Sequence, residues 1–129
     1  MQIRTSNINK IGMLQEMGYV FVLIDDTPPP LPGMFRANEL IPQVFLTNGV
    51  KNGNIGSELF SVLYLKQLER VSCSALITQI MNKCGNKTKI CFVSSEQFGT
   101  FSHRKILSEW LEKEGFHCHE IYMRSDRSG

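Results

Sequence analysis

Apolar residues along this chain fall into two kinds of pattern, short unbroken runs and stripes at helical spacing. Residues 19–24 and 90–93 are unbroken runs, the signature of strands buried on both faces. Residues 2–5 predict a short opening strand, and 43–47 and 117–122 predict two more. Between them, Ile8, Ile11, Leu14 and Met17 make one helical stripe, capped by Ser6 or Asn7 and stopped at Gly18. Residues 35–41 predict a short helix stopped by Pro42, and 48–56 a loop rich in glycine and asparagine. Leu59, Phe60, Leu63 and Tyr64 predict a helix running to about Arg70; Leu76, Ile77 and Ile80 predict a second, ended near Gly85. Ile106, Leu107, Trp110 and Leu111 form the last stripe, with Gly115 where a helix C-terminus favours positive φ.

Strands separated by helices imply an α/β fold: one domain over residues 1–123, a mostly parallel sheet with helices on both faces. Residues 124–129 carry no apolar side chain and read as a flexible tail. The prolines at 28–30 and 32 cannot continue a central strand, so the chain leaves the sheet after Thr27 in a stiff, extended form. Pro29 and Pro32 have the spacing of an SH3 ligand but lack its basic residue, which favours a rigid loop.

Length and composition narrow the function classes. A chain of 129 residues, 42% hydrophobic and 20% charged, can bury one real core. A net charge of +2 does not by itself indicate a nucleic-acid partner, although it leaves one possible. No apolar run approaches the ~20 residues of a membrane span, and the N-terminus lacks an apolar signal core. The four cysteines contain no Cys-x-x-Cys pair; free, reduced thiols and a cytoplasmic location are the expectation.

Candidate chemistry gathers around the loop at residues 94–101 and the helix after it. Ser102 is a suitable N-cap, yet His103, Arg104 and Lys105 follow it, where the helix dipole favours acids. Glu109, Glu112 and Glu114 lie toward the other end, so the charge order is reversed. A bound anion at the helix head would offset that reversal; a solvated basic turn is the plain alternative. If the strands at 19–24 and 89–93 are parallel, Asp25 and Asp26 come near Ser94, Ser95, Glu96, Ser102, His103 and Arg104.

Three uses of that cluster stay open. Arg104, with Ser102, Ser94, Ser95 and Glu96 around it, can bind a phosphate-bearing ligand while Asp25 or Asp26 meets a ribose hydroxyl or a base. His103, with Asp25 and Asp26, can act as a catalytic acid or base. Asp25 or Asp26 can instead neutralise Arg104 in a structural ion pair with no ligand. There is no Gly-x-Gly-x-x-Gly and no P-loop, and no cofactor is implied.

Cys91 invites a phosphatase or rhodanese reading, but it lies inside an apolar run and points into the sheet. His117 and His119 share one face of the last strand without a third ligand, so no metal site is expected. Met34, Phe35, Phe98 and Phe101 lie on predicted loops or their edges and could serve a protein partner or cover a pocket.

Residues 23–28, 35–40, 90–92, Ser102-His103-Arg104 and 107–115 resemble the small proteins grouped as domain of unknown function four-eighty-eight. That family places an Asp-containing stretch and a proline turn after its second strand. Near the C-terminus it has a strand ending in Cys, a loop, and Cys-His-Arg at the head of a helix ending in Gly. Ser102 stands where the family has Cys, and Asp26 lies near where an Asp-x-Arg stretch would supply an arginine. The resemblance implies the fold more than an activity. The expected function is binding of a small anionic, nucleotide-like ligand at the strands' carboxyl ends, as a binder or as an enzyme acting on nucleotides or nucleic acid. A non-catalytic protein-interaction module is the alternative.

Overall fold

The structure is a computed structural model and describes residues 2–31, 34–85, 89–95 and 102–121. The proposed tail at 124–129, together with Glu96, Phe98 and Phe101, lies outside the described residues. Five strands, β1 (Gln2–Asn7), β2 (Val20–Leu23), β3 (Phe35–Arg36), β4 (Lys89–Ser94) and β5 (Cys118–Glu120), form one sheet in the order β3-β2-β4-β1-β5. Every pairing is parallel, so all five carboxyl ends lie at the same edge. β2 is interior, between β3 and β4, as its unbroken apolar run requires.

Alternate side chains of each strand feed two unequal cores. Ile3, Val22, Ile90, Phe92 and Cys118 point to the larger, which is closed by α2 (Val44–Lys51), α3 (Ser57–Glu69), α4 (Cys73–Lys83) and α5 (His103–Lys113). Phe21, Leu23, Cys91 and Val93 point to the smaller, covered by Ile11 and Leu14 of α1 (Ile11–Gln15). Helices therefore lie on both faces of the sheet, as an all-parallel sheet demands. Gly115 follows α5 with φ +95°, and its N–H closes the helix on the Glu112 carbonyl at 3.0 Å.

Three predicted segments come out differently, the loop at 48–56 among them, since helix α2 runs on to Lys51. Residues 43–47 belong mainly to helix α2, because burying Leu46 and Gly49 at i, i+3 uses one helical face and leaves Val44 and Phe45 exposed. A run of Val, Phe and Leu is compatible with either element, and tertiary packing decides it. Residues 35–41 are not a helix throughout. Phe35–Arg36 is the edge strand β3, paired with Val22 and Leu23, and only Asn38–Leu40 turns, as a 3-10 helix. Among the described residues no helix is long and apolar enough to cross a membrane.

Candidate functional site

Every buried polar or charged side chain among the described residues belongs to one end of the molecule. Thr5, Ser6 and Asn7 end β1, Ser94 ends β4, and Ser102, His103 and Arg104 form the head of α5. Burying polar groups is costly unless they are bonded to one another. Their concentration at the carboxyl edge marks the place where the chain spends stability on polar organisation.

Asp25 follows β2 and fastens it to β4. One carboxylate oxygen accepts the Thr27 N–H at 3.0 Å; the other accepts the Ser95 N–H at 2.8 Å and its hydroxyl at 3.0 Å. Partial burial pushes the Asp25 carboxyl up, but the hydrogen bonds from Ser95 and Thr27 prevail and hold it below its usual range. Asp26 is exposed beside it.

Arg104 is 1% exposed and bound on three sides. Its Nε and Nη2 donate to the two oxygens of Glu120 at 2.8 and 3.1 Å, and Nη1 donates to the Ser94 hydroxyl at 2.7 Å. Thr5 donates its hydroxyl to the same Glu120 at 2.8 Å. Among the described residues the carboxylate partner of Arg104 is thus Glu120, and neither Asp25 nor Asp26 pairs with it. The helix head, with its reversed charges, meets an anion from the chain's own last strand. Sequence reasoning missed Glu120 because a single acid in a three-residue strand has no periodic signal; its register opposite Thr5 puts it there.

Ser102 caps α5, its hydroxyl accepting the Arg104 N–H at 3.1 Å. His103 is buried edge-on against Tyr64, ring centroids 5.5 Å apart, and its Nε2 lies 2.7 Å from the Ile24 carbonyl. A carbonyl only accepts, so Nε2 carries the proton. Tyr64 in turn donates its hydroxyl to the Leu40 carbonyl. This column ties β2, α3, α5 and the Asn38–Leu40 turn together around one opening.

The opening is a pocket of about 230 Å³ beside the end of β2 and the head of α5. Ile41, Pro42, Val50 and Phe60 form its apolar wall, and Asp25, Asp26, Thr47, Lys51, Ser102 and His103 supply its polar groups. The structure thus brings together four of the residues expected here: Asp25, Asp26, Ser102 and His103. Arg104 and Ser94 are withdrawn behind it, and Ser95 is engaged by Asp25. Lys51 and Thr47 escaped sequence reasoning because 43–47 read as a strand and 48–56 as a loop; helix α2 is what presents them.

The other candidates sit apart. Cys91 is fully buried among apolar neighbours, and burial pushes its thiol far above the ordinary range, which disfavours a thiolate there. His117 is exposed, 3.3 Å from Glu112, and no cluster of metal-ligand side chains occurs among the described residues. Met34 and Phe35 pack inward, against the smaller and larger cores respectively. Comparison with known proteins finds no matching family, no matching curated protein and no matching solved structure.

Proposed function

We propose that this chain binds a small nucleotide-like ligand in the pocket between the end of β2, α2 and the head of α5. The observation that supports the reading most is the pocket's make-up, an apolar wall with a few convergent polar groups at the carboxyl edge of a parallel sheet. A volume of about 230 Å³ lies below the range of typical drug-sized sites, roughly 300–1,000 Å³. That size favours one ring-bearing unit over a dinucleotide.

Binding is preferred to catalysis as the main role. The Asp25 carboxylate is already committed to Ser95 and Thr27, and the protonated Nε2 of His103 to the Ile24 carbonyl. Groups so engaged serve better as walls and orienters than as an acid–base pair.

The protein-interaction reading draws support from Val44, Phe45, Leu59 and Val62, exposed on α2 and α3. A thermal-melt screen with nucleosides and their phosphates separates the two. A ligand at a hundred times its Kd raises stability by about 2.7 kcal/mol, enough to move the melting temperature by several degrees. No change with any compound, together with capture of a stable protein partner, would favour the interaction module.

A further inference from the structure

Asp26 and Lys51 line the same pocket and carry opposite charges. Among the described residues neither is held by a hydrogen bond or an ion pair, in contrast to Asp25 and Arg104. Among the described residues Lys51 is the only Lys or Arg in the lining, and it closes helix α2. Lys51 also suits the negative end of that helix, which alone would explain a basic residue there. Asp26 stands exposed on the same apolar cavity, its carboxylate open beside that ammonium.

We infer that Lys51, and not Arg104, is the anion contact of the site, and that the pocket selects a nucleoside monophosphate. Lys51 takes the single phosphate, the apolar wall takes the base, and Asp26 accepts a hydrogen bond from a sugar hydroxyl. Further phosphates would meet two carboxylates, Asp25 and Asp26, with no second Lys or Arg among the described residues of the lining to offset them. Arg104 cannot turn to help without stranding Glu120. This assignment rests on the nucleotide reading above and adds to it a charge rule and a residue.

Calorimetric titration of the whole chain with adenosine, its monophosphate and its triphosphate, and with the guanosine, cytidine and uridine series, tests it. In at least one series the monophosphate should bind about tenfold tighter than the nucleoside, the gain of one charge-assisted contact. The triphosphate should bind more weakly than the monophosphate. Lys51→Met should abolish the monophosphate's advantage over the nucleoside, with a far-UV circular dichroism spectrum like the parent's showing that the variant is folded. Asp26→Asn should weaken the nucleoside several-fold and narrow the gap between monophosphate and triphosphate. A triphosphate that binds tightest, or a Lys51→Met variant that keeps the monophosphate preference, overturns the charge rule while leaving the nucleotide reading intact. Absence of binding in all four series overturns both.

Discussion

Arg104 and Glu120 form a two-toothed ion pair, 2.8 and 3.1 Å, between the head of α5 and the last strand of the sheet. The guanidinium is almost wholly shielded and the carboxylate side chain is 19% exposed, so this pair is structural in character. It joins the head of α5 to β5, and through Ser94 and Thr5 reaches β4 and β1. Removing one partner of such a pair strands the other and costs about 3–5 kcal/mol. Arg104→Ala should lower unfolding free energy by about that amount in urea titration. Replacing both residues by apolar ones of similar volume should cost distinctly less than the two single changes together. An Arg104→Ala variant as stable as the parent would deny the pair this role.

Asp25 makes stability depend on pH. Its folded carboxyl titrates below the usual range, so its contribution is fully present above the unfolded value, near 3.8. It is lost as pH falls through the lowered folded value. Asp25→Asn should therefore destabilise the chain near neutrality by about 1 kcal/mol, allowing for its partial exposure. The difference between variant and parent should shrink as pH is lowered below 4, roughly the unfolded carboxylate range. Denaturant melts at several pH values read this directly, and a difference that stays constant down to acid pH would count against the Ser95–Thr27 staple.

Gly49 sets how closely the end of α2 meets the loop after it. A Cβ at this position would stand 2.3 Å from Ile55 Cδ1 and 2.6 Å from its Cγ1. The Gly49 carbonyl accepts the N–H groups of Asn54 and Ile55 at 2.8 and 3.0 Å, so the backbone cannot simply retreat. Gly49→Ala should cost about 1–3 kcal/mol through overpacking. Adding Ile55→Ala should recover part of that loss, as measured by thermal melts of the single and double variants.

The thiols should differ in reactivity according to burial. Cys84 is partly exposed, whereas Cys73, Cys91 and Cys118 are buried, and burial raises Cys73 and Cys118 to about 11. Iodoacetamide on the folded chain should label Cys84 first, with Cys91 protected until unfolding; mass mapping of the labelled peptides checks it. Rapid native labelling of Cys91 would reopen a catalytic-thiol reading.

The fold was largely legible because parallel strands and their crossover helices write strong patterns. Residues 19–24 and 90–93 are unbroken apolar runs, and the stripe Ile106, Leu107, Trp110, Leu111 ends at a glycine that takes positive φ. The segment 35–47 was not legible, since Phe35 and the run from Val44 to Leu46 suit either element until β2 and α3 pack against them. At the site, the convergence of Asp25, Asp26, Ser102 and His103 followed from topology alone. The partner of Arg104 did not, because pairing residues sixteen positions apart depends on the register of β5 with β1. Lys51 was hidden for a related reason, being brought to the pocket by a helix that read as a strand and a loop.

Amide NMR of the labelled chain, titrated with nucleoside monophosphates, tests the pocket most directly. Binding there should move the signals of Asp26, Thr47, Val50, Lys51, Ser102 and His103 in a saturable way, and leave the outer face of α3 and α5 around Val62 and Glu109 unchanged. Saturable shifts confined to that outer face, or no shift with any monophosphate, would contradict a nucleotide-like ligand at the head of α5.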